Sequence, residues 1–293
     1  MRRLTLALGL LLLAPLGCPS APPPADDDDD AHDDQDHEHG TGEIDTHMHA
    51  VLQWGDTGQL ALGTHAGMYR TEAGSDELVP VFEGPDFMGL VQDAFDPDRY
   101  WGSGHWSASG MGNWGFAEST DRGETWTEIS LTGQADFHAM AASADQEGFV
   151  VGSWNGSFWI SDDAGRTWDE QPAPSGINDI EVEDPSGPVL LIASGSSVQR
   201  YDVASGQSDS VLSDAATGID WGTDGWLVGL ASGDVLVCDA TFDCTGWDGP
   251  EAGAVLHLLG DADPMHMTVL TSDAEVHHTE DGGATWELVV AGE

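Results

Sequence analysis

Imidazole and carboxylate side chains recur through the first half of the chain, and together they could bind a metal ion or a polar ligand. The residues in question are His47, His49, His65, Asp86, His105, Asp136 and His138. Imidazole nitrogen combined with carboxylate oxygen suits several divalent transition metals. Whether these residues act together depends on whether the fold brings them to one place.

A short motif that recurs along the chain indicates what that fold is. Three segments follow the pattern Ser/Thr-x-Asp-x-Gly-x-Thr-Trp, in which Asp can bond the backbone of its own turn and Gly supplies a positive φ. The conserved positions of the pattern are Ser119, Asp121, Gly123 and Trp126; Ser161, Asp163, Gly165 and Trp168; and Thr279, Asp281, Gly283 and Trp286. We expect the three tryptophans to be structural, wedged between neighbouring sheets.

The spacing of the motif predicts the architecture. A degenerate copy begins at residue 71, and the three full copies begin at 119, 161 and 279. The last interval has room for two further units, at residues 176–214 and 215–250. Repeats of about 40 residues with several short strands are typical of β-propellers, because one four-stranded blade cannot bury both of its faces alone. We predict an all-β fold, a six-bladed β-propeller over residues 45–293, with seven blades as the alternative.

The motif resembles the Asp-box, or BNR repeat, of sialidases, sortilin-type receptors, photosystem assembly factors and exported bacterial proteins. The segments around His47, His65, Asp86, His105 and Asp136 are similar to one exported bacterial group, often labelled glycosyl-hydrolase-like. The resemblance implies a β-propeller with Asp-box turns. It implies little about function, since one fold serves many functions.

Blade geometry predicts a site at one end of the channel. Strands A to D run from the axis outward, and the motif turns join C to D, so the B–C turns and D–A connections lie on the opposite face. We therefore expect the seven residues above at that channel mouth, with Trp106 and the Gly/Ser-rich loop after it as a lid. A metal, with copper as a candidate, would be bound by His47, His49, His105 and His138. Alternatively, these histidines only fill a narrowing channel.

The N-terminus resembles a bacterial lipoprotein signal. Arg2 and Arg3 precede an apolar stretch over residues 4–16, which is too short to cross a bilayer, and Cys18 follows. We predict a signal peptide over residues 1–17, lipidation of Cys18, and a disordered Pro/Asp/His-rich linker over residues 18–44. Outer membrane or cell surface is the expected location, and a periplasmic or secreted protein is the alternative. The linker histidines could also bind metal loosely.

Lipidation of Cys18 would leave an even pair of cysteines in an oxidising compartment. Cys238 ends an apolar run and Cys244 follows a short turn, so the two could face each other across a hairpin. We predict a disulfide between them. It would act as a local staple.

The charge of the chain restricts its partners. Seven basic residues, all arginine, stand against 53 acidic ones, for a net charge of −46. Such a surface repels nucleic acid and anionic membranes, so we expect membrane contact only through Cys18. We expect a monomer whose partner is an unknown protein or small molecule.

The arginines also bear on the enzyme hypothesis. A sialidase would need three of them on inner strands, and the chain after the signal has only Arg70, Arg99, Arg122, Arg166 and Arg200, of which Arg99 is expected in a turn. We therefore predict a binding or assembly module. A periplasmic transition-metal-binding protein and a glycoside hydrolase of another kind are the alternatives, with the catalytic residues unassigned.

Overall fold

The structure is a computed structural model that describes residues 47–73, 77–106, 112–261 and 263–292. The chain divides into two units, Met1–Glu43 and Ile44–Glu293, and the described residues all belong to the second. The predicted signal peptide, the lipidation site Cys18 and the acidic linker therefore lie outside the described residues. So do residues 107–111 of the predicted lid and residues 74–76 of the degenerate motif copy.

In the described residues, twenty-four strands form six antiparallel sheets of four, and the prediction of a six-bladed β-propeller is confirmed. Blades 1 to 3 consist of β1 (Met48–Gln53), β2 (Leu60–Thr64), β3 (Gly67–Thr71) and β4 (Leu78–Glu83); β5 (Asp86–Asp93), β6 (Asp96–His105), β7 (Asn113–Ser119) and β8 (Thr127–Ser130); and β9 (Ala139–Ala142), β10 (Val150–Trp154), β11 (Ser157–Ser161) and β12 (Asp169–Pro172). Blades 4 to 6 consist of β13 (Ile177–Asp184), β14 (Val189–Ser194), β15 (Ser197–Asp202) and β16 (Gln207–Leu212); β17 (Ala216–Trp221), β18 (Trp226–Leu230), β19 (Val235–Cys238) and β20 (Cys244–Trp247); and β21 (Val255–Gly260), β22 (Met267–Thr271), β23 (Val276–Thr279) and β24 (Glu287–Val290). Each blade uses four consecutive strands, so its pairing is local in the chain.

A separate hydrophobic cluster fills each of the six spaces between neighbouring blades. The ring closes where β1 of blade 1 packs against β21 and β22 of blade 6. Leu62 and Leu270, from these two blades, are fully buried in the same cluster. Closure therefore rests on side-chain packing, because every blade is completed by its own segment of chain.

The three motif turns share one hydrogen-bond pattern, and we call them the repeat turns. In the first, the Ser119 hydroxyl accepts the Gly123 N–H at 2.8 Å and donates to Asp121 at 2.8 Å. Asp121 in turn accepts the N–H and the hydroxyl of Thr125, at 2.9 and 2.6 Å. The same four bonds recur in the turns around Asp163 and Asp281. Local side-chain bonding thus forms each turn before any contact with another blade is needed.

The tryptophans that end the repeat turns pack between blades. The ring centroid of Trp126 lies 6.4 Å from that of Phe82 in blade 1 and 5.1 Å from that of Phe87 in its own blade. Trp168 lies 5.0 Å from Phe116, and its indole N–H donates to Ser130 at 2.8 Å. Each ring packs against the preceding blade or the segment that follows it, which is a structural role.

The predicted disulfide is present and joins Cys238 to Cys244 across the β19–β20 hairpin. One minor expectation was wrong: Arg99 lies in strand β6 and not in a turn. It is held there by Asp93, whose carboxylate it contacts at 3.0 Å. Among the described residues, no helix has the length and apolar character needed to span a membrane.

Candidate functional site

The inner strands of the propeller share a backbone irregularity near the channel mouth. In five blades the A strand carries a β-bulge at its second or third residue, and the bulge positions are His49, Met88, Asn178, Thr217 and Leu256. A bulge changes the direction of a side chain relative to the regular strand. Two bulge residues bond to the next blade: the Asn178 amide donates to Ala216 and the Thr217 hydroxyl to Val255. The bulges of these two blades thus direct a side chain toward the neighbouring blade.

Three imidazoles of blade 1 converge at this mouth, and we call them the histidine cluster: His47, His49 and His65. Their ring centroids are 4.7 to 4.9 Å apart. One ring nitrogen from each can be chosen so that all three lie within 4.8 Å of one another. His47 and His49 come from the start of the A strand, while His65 comes from the B–C turn. The two segments meet because β1 and β2 pair at Met48 and Thr64.

A buried carboxylate from blade 2 stands beside the histidine cluster. Asp86, whose side chain is 7% exposed, has carboxylate oxygens 3.6 Å from the Nε2 atoms of both His49 and His65. The Nε2 atom of His105 lies 3.5 Å from the same carboxylate. Two ligands of a tetrahedral ion with bonds of about 2.1 Å lie roughly 3.4 Å apart. The distances from the Asp86 carboxylate to His49 and His65 are close to that value.

The electrostatics at His49 favour the neutral imidazole that a metal requires. Burial lowers the pKa of His49 to about 3, and the neighbouring His65 and His47 lower it further in the same direction. His49 Nε2 is buried and has no hydrogen-bond partner in the described structure, although the Asp86 carboxylate is 3.6 Å away. A neutral, buried imidazole nitrogen is a lone-pair donor that a cation can use without displacing a proton.

A second group of residues adjoins the cluster, and we call it the Asp136 group: Asp136, His105, His138 and Trp154. Asp136 is buried and accepts from His105 Nδ1 at 2.9 Å, while His138 Nε2 lies 3.5 Å from it. Burial pushes the pKa of Asp136 up, but the bonds to His105 and His138 outweigh it and hold the pKa below its usual range. The same hydrogen bond to Asp136 raises the pKa of His105. His138 stacks beside Trp154 at 5.6 Å.

The seven histidine and aspartate residues predicted from the sequence thus all lie at one end of the propeller. The grouping differs from the expected metal set in one respect. His65 joins His47 and His49, whereas His105 and His138 are turned toward Asp136. The reason is the carboxylate of Asp136, which competes for the imidazoles of blades 2 and 3.

The predicted lid is described only at its two ends. Trp106 is half-buried and packs against the cluster between blades 1 and 2, and its backbone N–H donates to the Gly112 carbonyl at 3.2 Å. The indole is therefore anchored in the blade interface beside the mouth. Residues 107–111, which would have to cover the site, lie outside the described residues.

Four titratable residues of the channel were not predicted as site residues. Three are the axial carboxyls, the name we give to Asp179, Glu181 and Asp220, from the A strands of blades 4 and 5. Burial raises the pKa of Asp179 to about 7 and that of Glu181 well above its usual range, and the neighbouring carboxyls add to the effect. The fourth, His257 of blade 6, bonds to the backbone of His49, and burial lowers its pKa to about 4.

A signal for these residues exists in the sequence, but it is weak. The segment Ile177–Asp184 alternates acidic and apolar residues, which is also the pattern of an ordinary strand with one face in water. Only the closed ring turns that face into a narrow channel with a cavity of about 80 Å³. His257 sits within an apolar inner strand, where histidine is unusual.

The arginines of the described residues do not converge on the mouth. Arg99 and Arg200 are bound to Asp93 and Glu183, and Arg122 is bound to Asp98. Arg70 is paired with Glu72, and Arg166 bonds to the Asp163 carbonyl within its own repeat turn.

Comparison with known proteins identifies the fold. No protein-family model matches the chain, and no curated protein matches it. The GH74 enzyme of Niastella koreensis is 17% identical, with a TM-score of 0.62 over 84% of this chain and 45% of that one. The GH74 xyloglucanase of Xanthomonas campestris is 15% identical, with a TM-score of 0.54 over 83% of this chain and 45% of that one.

A third solved structure is close to this chain in length. YCF48, solved bound to a D1 peptide, is 16% identical, with a TM-score of 0.50 over 83% of this chain and 82% of that one. The chain spans less than half the length of the two GH74 proteins. At these identities the likeness shows that the chain shares the β-propeller fold of glycoside hydrolases and of a peptide-bound propeller. Function has to be argued from the site.

Proposed function

We propose that this protein is an exported β-propeller that works as a binding module, and that its channel mouth binds a divalent transition-metal ion such as Zn²⁺ or Cu²⁺. The ligands are His47, His49 and His65, with Asp86 completing the set. One observation carries the proposal: three imidazole donors lie within 4.8 Å of one another beside a buried carboxylate. Imidazole is a good ligand for zinc and copper, and four donors suit a tetrahedral site.

The Asp136 group supports this site through His105, which links Asp136 to Asp86. His105 lies between the two buried carboxylates, 2.9 Å from Asp136 and 3.5 Å from Asp86. A histidine held in this way fixes the orientation of the Asp86 carboxylate. Such supporting contacts usually change metal affinity by about 10- to 100-fold.

Metal titration of the full-length protein tests the proposal. Because the linker also contains His32, His37 and His39, all measurements are made in a background where these three are replaced by alanine. We expect one Zn²⁺ or Cu²⁺ per chain by calorimetry and by elemental analysis after desalting. His49→Ala and Asp86→Asn should each weaken binding by about 100-fold or more.

A matched control uses a histidine outside the site. His266 lies on the opposite face beside Asp261 and Asp263, at 3.8 and 3.9 Å, so His266→Gln should leave the affinity unchanged. If the linker-substituted protein binds no metal, or if His49→Ala binds as tightly as its parent, the metal proposal is wrong. Two interpretations would then remain: a polar ligand at the mouth, or histidines that only fill a narrowing channel.

Export and anchoring are part of the same proposal. The Cys238–Cys244 disulfide supports an oxidising compartment, and the N-terminal sequence supports a lipid attached to Cys18. The bonding of the repeat turns supports the resemblance to exported Asp-box propellers. Cys18→Ser should move the protein from the membrane fraction to the soluble fraction and abolish labelling with a radioactive fatty acid. Unchanged membrane association would contradict the lipid anchor.

A further inference from the structure

A second cavity opens at the other end of the channel, on the face that carries the repeat turns. We call it the Trp221 cleft. Its volume is about 560 Å³, and it is lined among others by Glu181, Asp220, Trp221 and Trp226. Sites for small organic molecules commonly have volumes of about 300–1,000 Å³. None of the residues proposed to bind metal at the histidine mouth lines it.

An exposed tryptophan forms one wall of the cleft. Trp221 is 46% exposed, which is unusual for so large an apolar side chain. It packs edge-on against Trp226 with ring centroids 4.5 Å apart, and Trp226 is buried and stacks with Phe242 at 6.0 Å. Phe242 lies in the turn closed by the Cys238–Cys244 disulfide. Trp226 and Phe242 therefore hold Trp221 in place, and the exposed Trp221 ring is accessible to a ligand.

Carboxyl groups form the floor of the cleft. Glu181 accepts a hydrogen bond from the Val182 N–H at 3.0 Å, and Asp220 accepts one from Gly260 at 3.3 Å. Each carboxyl keeps further acceptor capacity, since an ionised carboxylate has about four acceptor positions. Glu183 also lines the cleft, but Arg200 already binds it. No arginine lines the cleft in the described part of the chain, and the chain has no lysine.

These carboxyls are poorly compensated by the protein itself. Burial raises the pKa of Glu181, and the charges of Asp220 and Asp179 raise it further. A cation placed between Glu181 and Asp220 would favour the ionised form of both carboxyls. The aromatic wall favours an organic cation over a metal ion. A flat cation can stack on the Trp221 ring, and a metal ion cannot.

We propose that the Trp221 cleft binds an organic cation, of the amidinium or guanidinium kind, whose charge pairs with Glu181 and Asp220 and whose flat face stacks on Trp221. Such a group can belong to a small molecule or to an arginine side chain of a peptide. Planar cations with several N–H donors match carboxylate pairs in geometry and also stack well on indole.

Calorimetry and ligand-observed NMR with benzamidine test the proposal on the full chain at an ionic strength of about 0.15 M, which screens diffuse attraction to the acidic surface. Benzamide, which has the same shape without the charge, serves as the reference ligand. We expect benzamidine to bind at least tenfold more tightly than benzamide. Glu181→Gln should weaken benzamidine by about tenfold, and Trp221→Ala by about fivefold.

Two control variants lie elsewhere on the surface. Glu251 and Phe95 are both exposed and do not line the cleft, so Glu251→Gln and Phe95→Ala should bind benzamidine like the parent. If benzamide binds equally well, or if Glu181→Gln and Trp221→Ala bind like the controls, the proposal is overturned. Trp221→Phe, which keeps an aromatic wall, should retain most of the affinity and guards against a folding defect in the alanine variant.

The two sources of the cation are separated by a second titration. The peptide N-acetyl-Ala-Arg-Ala-amide is compared with agmatine, a free guanidine of similar length. Tighter binding of the peptide would assign the cleft to an arginine side chain on a protein partner, and tighter binding of agmatine to a small molecule. Failure of both, together with benzamidine, would overturn the site.

Discussion

The histidine cluster and the axial carboxyls line the same channel, but their titratable side chains have different kinds of neighbours. At the mouth, His49 and His65 face Asp86, so basic imidazoles lie beside an acidic carboxyl group. In the interior, Asp179 and Glu181 stand beside Asp220, so like groups are crowded. The axial carboxyls all come from A strands, whereas the histidine cluster also includes His65 from a B–C turn. The comparison teaches that the identity of neighbours, more than burial alone, decides what each region can bind.

The largest expected effect concerns the interior. Burial raises the pKa of Asp179 to about 7, so the folded protein holds a proton that the unfolded chain releases above about pH 4. The free energy of unfolding therefore falls as the pH rises from about 4 to about 7. Asp179→Asn should recover up to about 4 kcal/mol at pH 8 and little at pH 4, as measured by denaturant unfolding.

The control for this effect is Asp214→Asn, at an exposed position. It should leave the difference between pH 4 and pH 8 unchanged. An equal response from both variants would mean that overall charge, and not the crowded interior, governs the pH dependence.

The next effect tests whether the two regions are independent in binding. His49→Ala should weaken Zn²⁺ binding by about 100-fold, because it removes a donor. Asp179→Asn should leave Zn²⁺ affinity within about twofold, although both residues line one channel. If Asp179→Asn weakens Zn²⁺ as much as His49→Ala, the mouth and the interior form one site and the contrast drawn above is wrong.

A third effect concerns the disulfide beside the Trp221 cleft. Replacing Cys238 and Cys244 with serine removes a short covalent loop next to the aromatic wall of the Trp221 cleft. We expect the free energy of unfolding to fall by about 2 kcal/mol, with Zn²⁺ affinity unchanged. Calorimetric melting with and without Zn²⁺ measures both quantities. A loss of Zn²⁺ binding here would show that the two ends of the channel are coupled.

The smallest expected effect lies within the histidine mouth. Asp136 orients His105, which in turn lies 3.5 Å from Asp86. Asp136→Asn should therefore weaken Zn²⁺ by about tenfold and lower the pKa of His105, which an NMR titration of the imidazole protons can follow. Glu251→Gln, at an exposed position, is the control. An unchanged His105 pKa would contradict the assigned hydrogen bond.

Much of the fold could be predicted because the decisive interactions are local. The hydrogen bonds of each repeat turn lie within eight residues, and the repeat period of about 40 residues predicts four-stranded blades. The position of each histidine relative to these turns was enough to assign it to one face. Burial is less evident from local sequence: His277 follows a short turn of polar residues, yet it is 9% exposed and has Glu275 as its partner.

The site could be predicted only as a neighbourhood. The sequence indicated which residues gather at the mouth, and the choice of His65 over His105 as a third donor depends on ångström-scale distances. Those distances are set by the bulge at His49 and by the competing carboxylate of Asp136. Neither can be read from spacing along the chain.

The period of the motif and the chemistry of its turns were properties of the sequence alone, because they act between residues a few positions apart. The ring decided the rest. Only closure of blade 6 on blade 1 turns the alternating strand Ile177–Asp184 into a channel wall and brings His257 against the backbone of His49. Contacts of this kind join residues that are about 200 positions apart, and they depend on how six hydrophobic clusters pack at once.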